Sequence, residues 1–317
     1  MFRFSSADKN LPTHSIFRWF LVGFASFSLI LFLALLPLVF YCRSVFTELE
    51  IKKSTQQMDF GINQLDNTIT TIANASQAFY DDNRFYALNY TSKDYTDISA
   101  VTRNQMRDYL SSLIRPCTMI RDCALQLSAN DAVTPIVTTF GLQVGYYPFY
   151  FRVDEMTYDE WNSLLQENRT GFVGVHHVST TYNGSYDALI YSIYRANSRY
   201  FYACIDLAQL KKALIAKEDL DSYLFTLHNS SGDCIYTELS GPASNYYSIS
   251  RQTASGGLTI TMHIPNVALT VRMKPLYSFL SIYLVLCILV LGVSIPIGTH
   301  LSTRPLTRII YTLEKIS

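Results

Sequence analysis

The sequence predicts an α+β domain with antiparallel sheets, placed between two transmembrane helices. Three observations predict this fold class. Two long uncharged, apolar runs lie near the ends of the chain, at Trp19–Cys42 and Pro275–Thr299. A heptad pattern follows the first run, and paired strand patterns fill much of the sequence between the two runs. Strands in hairpins, with helices leading into them, are typical of the α+β class.

The composition indicates a membrane-anchored chain and argues against nucleic-acid binding. The 317 residues include 25 basic and 25 acidic side chains, so the net charge is zero, and 49% of the residues are apolar. A nucleic-acid surface usually needs a basic patch, and a disordered chain has few apolar residues. No P-loop, H-E-x-x-H, G-x-S-x-G or G-x-G-x-x-G motif occurs. We therefore expect neither catalysis by these residues nor a cofactor.

Both apolar runs are long enough to cross a membrane, because about 20 apolar helical residues span the hydrocarbon core. A cleaved signal peptide is the alternative for the first run, but its apolar stretch is too long and no small-residue cleavage site follows it. Basic residues are about twice as dense in 1–18 and 300–317 as in 43–274. The positive-inside rule therefore predicts two cytoplasmic termini and an exterior middle domain, in a two-pass protein of the plasma membrane.

Residues 43–81 are predicted to continue the first span as a long stalk helix. Seven of the nine positions in its heptad seam are apolar. The seam consists of Ile51, Met58, Leu65, Ile72 and Phe79 at one position and Thr55, Ile62, Ile69 and Ser76 at the other. This pattern fits either an amphipathic helix packed on its own domain or the stalk of a homodimer.

The strand patterns divide into two parts, 82–215 and 216–274. In the first part, Ala188–Tyr194 and Arg199–Ile205 flank a short turn and predict a hairpin. Asp206 follows as a candidate N-cap for the helix after it.

The second part is smaller and ends just before the second apolar run. Tyr223–His228 and Cys234–Thr237 flank an Asn-Ser-Ser-Gly-Asp turn and predict another hairpin. The alternation of apolar residues from Leu258 to Ile264 predicts a further strand, which Pro265 ends.

The order of these segments resembles a double Cache sensor domain. "YFYACIDLAQLKKAL" is similar to the closing strand and helix of a membrane-distal Cache unit, and "LFTLHNSSGDCIYT" to the opening hairpin of a membrane-proximal unit. "GGLTITMHIPNVAL" resembles its last strand, and "MTYDEWNSLL" a helix of Gram-positive sensor kinases and membrane-bound AraC-type regulators. The resemblance implies a membrane-distal unit over 82–215 and a membrane-proximal unit over 216–274.

The same resemblance implies a small-ligand site in the membrane-distal unit. Sensors of this family bind ligands between the sheet and the loops over it, in pockets with a few placed polar groups. Asp187 and Arg195 could read a zwitterion or a sugar, although the Arg-x-Trp motif of amino-acid-binding members is absent. A solute-binding protein is the alternative partner. The candidate lining is Tyr146, Tyr147, Trp161, Tyr182, Tyr186, Asp187 and Arg195.

The exterior cysteines and histidines give two further expectations. Cys117 and Cys123 are close enough in sequence to form a disulfide, and free buried thiols are the alternative. His176 and His177 are adjacent, so on a strand they would point to opposite faces and would not chelate one metal easily. We expect no metal site.

The last segment, "STRPLTRIIYTLEKIS", resembles the first helix of a HAMP module. It predicts a signal relay in which a seam of residues pairs in a dimer, and a lipid-surface helix is the alternative. The relay residues are Pro305, Leu306, Ile309, Leu313 and Ile316. We therefore expect the input half of a transmembrane receptor, with an output of sensor histidine kinase type beyond Ser317. A membrane-bound AraC-type regulator and a non-signalling exterior binding or adhesion protein are the alternatives.

Overall fold

The computed structural model of the chain describes residues 11–82, 100–135, 145–195, 199–254, 257–286, 288, 289 and 292. The chain divides into two compact units. One comprises Met1–Glu50 and Leu269–Ser317, and the other comprises Ile51–Ala268. The described residues of the first unit are almost entirely helical, whereas the second unit contains both β-sheets.

Helix α1, Leu11–Asp81, is 71 residues long and contains Pro37. The whole of the first uncharged run, Trp19–Cys42, is helical in it. Within the described part of the chain, one helical segment, Asn266–Leu286, is long and apolar enough to cross a membrane by length and composition.

The larger part of the second unit, which we call the large-sheet subdomain, is a six-stranded antiparallel sheet with strand order β2-β1-β6-β5-β4-β3. Its elements are α2 (Ala100–Ile114), β1 (Ile120–Gln126), β2 (Ala132–Val133), β3 (Phe151–Val153), α3 (Tyr158–Glu167), β4 (Thr170–Thr180), β5 (Gly184–Arg195), β6 (Arg199–Asp206) and α4 (Leu207–Leu214).

The hairpin predicted in this subdomain is confirmed. Strands β5 and β6 pair from Ala188↔Asp206 to Arg195↔Arg199. Asp206 caps α4, because its carboxylate accepts hydrogen bonds from the backbone N–H groups of Ala208 and Gln209 at 2.8 and 3.3 Å.

The α1 seam is buried within its own chain. Met58, Leu65 and Ile72 have no exposed surface, and Phe79 is 1% exposed. The other seam position is also covered, since Ile62, Ile69 and Ser76 are buried. Of the two interpretations of the heptad, packing on the chain's own domain is therefore the one that the structure supports for residues 58–79.

The remaining part of the second unit, the small-sheet subdomain, is a four-stranded antiparallel sheet with strand order β8-β7-β10-β9. Its strands are β7 (Leu224–His228), β8 (Cys234–Thr237), β9 (Tyr246–Gln252) and β10 (Thr259–Pro265). Short 3-10 helices occur at Lys217–Asp219 and Ala243–Asn245, and helix α5 (Asn266–Arg272) follows β10. The predicted hairpin is β7–β8, and the predicted alternating strand is β10.

Strand β10 differs from the sequence expectation in one respect: both of its faces are buried. Alternation predicts a strand with one covered face, yet His263 is 7% exposed and Thr261 is 9% exposed. Cross-strand hydrogen bonds explain this, because the His263 ring pairs with Ser248 through Nδ1 and with Thr226 through Nε2, both at 2.9 Å. The His263 ring on this face of the sheet thus finds its hydrogen-bond partners within the sheet itself.

Helices α1 and α4 approach each other closely at Gly61. A Cβ atom there would lie 2.7 Å from the backbone carbonyl of Ala213 and 2.8 Å from Leu214 Cα. Gln57, one turn earlier, donates a hydrogen bond to the Ala213 carbonyl oxygen at 2.8 Å. A glycine is needed at this position because the two backbones leave no room for a side chain.

Several sequence-based expectations lie outside the described residues. The relay residues at 305–316 and most of the second span beyond Leu286 belong to this group, as does the turn between β5 and β6. The HAMP-like helix stays a prediction, and so do the segment boundaries 1–18, 19–42, 43–81, 82–215, 216–274, 275–299 and 300–317.

Candidate functional site

A cavity of about 240 Å³ lies in the large-sheet subdomain, between the end of α2, the start of β1 and the β4–β5 turn. Helix α2 contributes Ser111 and Ile114, and Arg115 lies in the turn that follows the helix and leads into β1. The other lining residues are Cys117, Ile120, Arg121, Asp122, Cys123, Thr134, Pro135, Tyr146, Tyr150, Thr180 and Tyr182.

Asp122 supplies the carboxylate of this cavity. Tyr186 donates a hydrogen bond from its hydroxyl to Asp122 Oδ2 at 2.5 Å, and Asn183 donates from Nδ2 to Asp122 Oδ1 at 2.7 Å. Burial raises the pKa of Asp122, while the hydrogen bonds from Tyr186 and Asn183 and the charge of Arg121 oppose that rise. The result is an oriented carboxylate beside a hollow that could take a small molecule.

Two arginines, Arg121 and Arg115, line the cavity, and they differ in whether their charge is paired. Arg121 donates to Asp206 Oδ2 at 3.0 Å and to the Asn183 carbonyl oxygen at 2.6 Å, and its guanidinium lies 4.2 Å from the centre of the Tyr186 ring. Its charge is therefore paired with the Asp206 carboxylate within the protein. The Arg115 side chain is exposed, and no hydrogen bond or ion pair links it to any other residue that the structure describes.

Three tyrosines, Tyr146, Tyr150 and Tyr182, also line the cavity. Tyr146 is buried and shares a hydrogen bond of 2.8 Å with the hydroxyl of Tyr202. Burial raises the pKa of Tyr146 well above its ordinary value, so its hydroxyl stays protonated. Tyr150 and Tyr182 stack with ring centroids 6.4 Å apart, and Tyr182 is 56% exposed. The cavity thus has a polar floor and an aromatic rim.

The structure brings together only some of the residues predicted to bind a ligand. Tyr146 and Tyr182 line the cavity, and Tyr186 reaches it through Asp122. Tyr147 and Trp161 do not line the cavity and lie in the buried hydrophobic core, to which Tyr146 and Tyr186 also belong. Trp161 donates from Nε1 to Gln126 Oε1 at 2.8 Å, and the Tyr147 hydroxyl donates to the Met156 carbonyl oxygen at 2.8 Å.

Asp187 and Arg195 lie apart from each other and do not line the cavity, and their role in ligand binding stays a prediction. They lie eight residues apart on β5, a separation of about 27 Å at the rise of an extended strand. Asp187 pairs with His177, whereas Arg195 donates to Ser76 Oγ and Gln77 Oε1 on α1. The length of β5 separates them, because a strand of 12 residues places its two ends far apart along the strand direction.

Asp122, Arg115, Thr180 and Asn183 are functional candidates that were not predicted from the sequence. Strand β1 is likewise absent from the strands predicted above. One signal was available: β1 reads "IRDCALQ", in which a charged pair, Arg121-Asp122, leads into four buried residues. A carboxylate at the edge of such a strand needs donors, and the hydrogen bonds from Tyr186 and Asn183 meet that need.

The cysteines differ from the disulfide expectation. Cys117 and Cys123 are both free thiols, and both line the cavity. Cys123 is buried within β1 opposite Ala203, whereas Cys117 lies half-buried in the turn before the strand. Burial raises the pKa of the Cys123 thiol far above its usual range. The alternative of free thiols is therefore the one that the structure supports.

The adjacent histidines lie on β4 and pair with different carboxylates. His176 Nδ1 lies 2.8 Å from Asp154 Oδ2, and His177 Nδ1 lies 2.9 Å from Asp187 Oδ1. Across the described part of the chain, no group of three or more His, Cys, Asp or Glu side chains is placed to hold a metal ion.

Comparison with known proteins finds similar structures but no similar sequence. No protein-family model and no curated protein matches the chain. The sensory domain of the Campylobacter jejuni chemoreceptor Tlp3, with isoleucine bound, is 9% identical, with a TM-score of 0.38 over 73% of this chain and 98% of its own. The ligand-binding domain of the Pseudomonas aeruginosa PAO1 chemoreceptor PctC, in complex with GABA, is 11% identical, with a TM-score of 0.41 over 69% and 99%.

A third similar structure is the extracellular domain of vpHK1S-Z8, a protein named as a histidine kinase. It is 12% identical, with a TM-score of 0.43 over 72% of this chain and 96% of its own. Two of the three are thus named as the sensory or ligand-binding domain of a chemoreceptor, and the third as the extracellular domain of a histidine kinase.

Proposed function

We propose that the chain is the input half of a two-pass membrane receptor whose exterior domain binds a small molecule at Asp122. One observation carries this proposal: a carboxylate held by two side-chain donors faces a cavity with an aromatic rim. Few well-placed polar groups in a concave, partly apolar pocket are typical of ligand sites.

The charges of the cavity favour a small zwitterion as its ligand. A cationic group would pair with Asp122 and lie against the faces of Tyr146, Tyr150 or Tyr182. An anionic group could reach Arg115, whose charge no other described residue neutralises. Similar solved domains hold isoleucine, L-valine, GABA, L-Arg or asparagine, which are ligands of this chemical class. A sugar or a solute-binding protein is the second candidate.

The proposal includes the membrane topology and the direction of relay. Trp19–Cys42 and Pro275–Thr299 would be the two spans in the plasma membrane, with both termini in the cytoplasm. A homodimer would pass a small shift of the second span to the seam at 306–316. The output would be of sensor histidine kinase type, with an AraC-type regulator as the alternative. No catalysis is assigned to the residues described above.

Ligand binding can be tested by calorimetry on the full chain in detergent, with panels of amino acids and of neutral sugars. We expect an amino-acid-like zwitterion to bind, and Asp122→Asn to weaken it at least tenfold, because the neutral amide cannot pair with a cation. Asp187→Asn is the matched control, since Asp187 lies away from the cavity. Equal affinities in Asp122→Asn and the parent chain would refute the site.

The relay is tested separately by cysteine crosslinking in the tail. A paired seam predicts strong crosslinks at Ile309 and Leu313 and weak ones at Thr307 and Thr312. Uniform reactivity at the four positions would contradict the dimeric relay and favour the non-signalling exterior binding protein.

A further inference from the structure

Asp206 divides the two oxygens of its carboxylate between the cavity and helix α4. Its Oδ2 accepts a hydrogen bond at 3.0 Å from Arg121, which lines the cavity. Its Oδ1 accepts the backbone N–H groups of Ala208 and Gln209 at 2.8 and 3.3 Å, and so caps α4. The side chain of Asp206 is only 9% exposed, so water does not easily replace either set of donors. One buried carboxylate thus contacts both a wall of the cavity and the start of a helix.

Arg121 keeps hydrogen-bond donors for a ligand in spite of this pairing. A guanidinium group carries five N–H donors. Among the described residues, its hydrogen bonds go to the Asp206 carboxylate and to the Asn183 carbonyl oxygen, through one terminal nitrogen each. The Arg121 side chain is 36% exposed and lines the same cavity as Arg115. An anionic group in the cavity can therefore approach Arg121 and compete with Asp206 for its positive charge.

The other end of α4 is joined to the small-sheet subdomain. Lys211 in α4 pairs with the Glu238 carboxylate at 3.0 and 3.1 Å, and the two side chains are 21% and 19% exposed. Glu238 Oε2 also accepts the backbone N–H of Phe225 in β7 at 3.2 Å. Helix α4 has only eight residues, so roughly 8 Å of helix separates Asp206 from Lys211. A change at the cap of α4 therefore acts close to the bonds that hold β7.

We infer that Asp206 couples occupancy of the cavity to the small-sheet subdomain, with α4 as the connecting element. A ligand anion that draws on the charge of Arg121 leaves the buried Asp206 carboxylate less well compensated, which loosens the cap of α4. The change passes to β7 through Lys211 and Glu238. Because coupling is reciprocal, weakening the Arg121–Asp206 pair in turn favours binding of the anion. This regulation rests on the ligand site of the proposed function and requires no contact between two chains.

The coupling can be measured without a ligand, by hydrogen–deuterium exchange of the full chain in detergent. Arg121→Gln removes the charge that compensates Asp206, so we expect at least threefold faster exchange at 207–211 and at 224–228. Helix α3, which takes part in none of these bonds, is the internal reference and should be unchanged. In a Lys211→Met background, Arg121→Gln should still accelerate 207–211 but not 224–228, because α4 is no longer tied to Glu238. Equal rates in Arg121→Gln and the parent chain, or equal acceleration in α3, would overturn the inference.

Asp206→Asn provides the second measurement, in which the direction of the effect separates coupling from a merely structural role. Asparagine caps a helix about as well as aspartate, but its neutral amide does not compete for the charge of Arg121. For the amino acid of the panel that binds the parent chain most tightly, we expect at least threefold higher affinity, and no change in the control Asp187→Asn. Unchanged or lower affinity in Asp206→Asn would overturn the inference. If no amino acid bound the parent chain, the ligand site would fail, and the exchange rates would still decide whether Asp206 couples to β7.

Discussion

The Tyr186 hydroxyl on β5 donates a hydrogen bond to the Asp122 carboxylate on β1, across the intervening strand β6. This bond holds the carboxylate at the cavity and lowers its pKa, against the rise that burial causes. Strand order rather than sequence proximity brings the two residues together, since 64 positions separate them. The strand order of the sheet therefore determines which donor lowers the pKa of the carboxylate at the site.

Tyr186→Phe should weaken both the fold and the binding of a cationic ligand at low pH. Loss of a hydrogen bond to a charged group costs about 2 kcal/mol of unfolding free energy, measurable by urea denaturation. Without this donor the pKa of Asp122 rises further, so its carboxylate takes up a proton at a higher pH. When the affinity is measured at decreasing pH, the loss of binding should therefore begin at a higher pH in Tyr186→Phe than in the parent chain. Superimposable pH profiles would contradict the role assigned to Tyr186.

Much of the fold could be predicted from signals carried by residues that are close in sequence. The β5–β6 hairpin, the Asp206 cap and the β7–β8 hairpin each depend on neighbouring residues, and each is present in the structure. The heptad of α1 also identified the buried face of that helix. What the heptad could not decide was the partner, because an apolar stripe packs equally well on a sheet or on another helix.

The candidate site was harder to predict, because its parts come from distant segments. Asp122 lies on a strand that sequence patterns did not reveal, and Asn183 and Tyr186 reach it only through the antiparallel order of the sheet. Trp161 and Tyr147 have the residue types of a ligand pocket but fill the aromatic core. Residue type alone cannot separate these two uses of an aromatic ring.

Gly61→Ala should destabilise the second unit, although alanine is the better helix former. The added methyl group would meet backbone atoms of Ala213 and Leu214, which cannot move aside as a flexible side chain can. Overpacking of this kind costs about 1–3 kcal/mol, more than the gain of about 1 kcal/mol in helix propensity. Asn63→Ala, exposed on the same helix, is the control and should raise the thermal midpoint slightly. A midpoint that rises in both variants would show that α4 does not press on α1 at Gly61.

Protonation of His263 should destabilise the fold as the pH falls. Burial lowers the pKa of this imidazole below its ordinary value, and the charge of His228 adds to that effect. Because the unfolded chain binds the proton more readily, stability is unaffected above pH 6.5 and declines as the pH falls below it, down to the lowered pKa of the folded state. His263→Gln keeps a polar partner for Thr226 or Ser248 and should flatten this decline in denaturation curves taken between pH 7.5 and 5. An equally steep decline in His263→Gln and the parent chain would contradict the role assigned to His263.

Alanine substitutions of Arg195 and Arg115 should affect stability and ligand binding separately. Arg195 donates to Ser76 Oγ at 2.7 and 2.9 Å and lies 4.9 Å from the centre of the Tyr80 ring, so it ties β5 to α1. Arg195→Ala should lower the unfolding free energy by about 1–3 kcal/mol and leave zwitterion affinity unchanged. Arg115→Ala should do the reverse: unfolding free energy within about 0.5 kcal/mol of the parent and affinity reduced at least threefold. If Arg195→Ala weakened ligand binding more than Arg115→Ala did, the ligand would bind where β5 contacts α1 rather than beside Asp122.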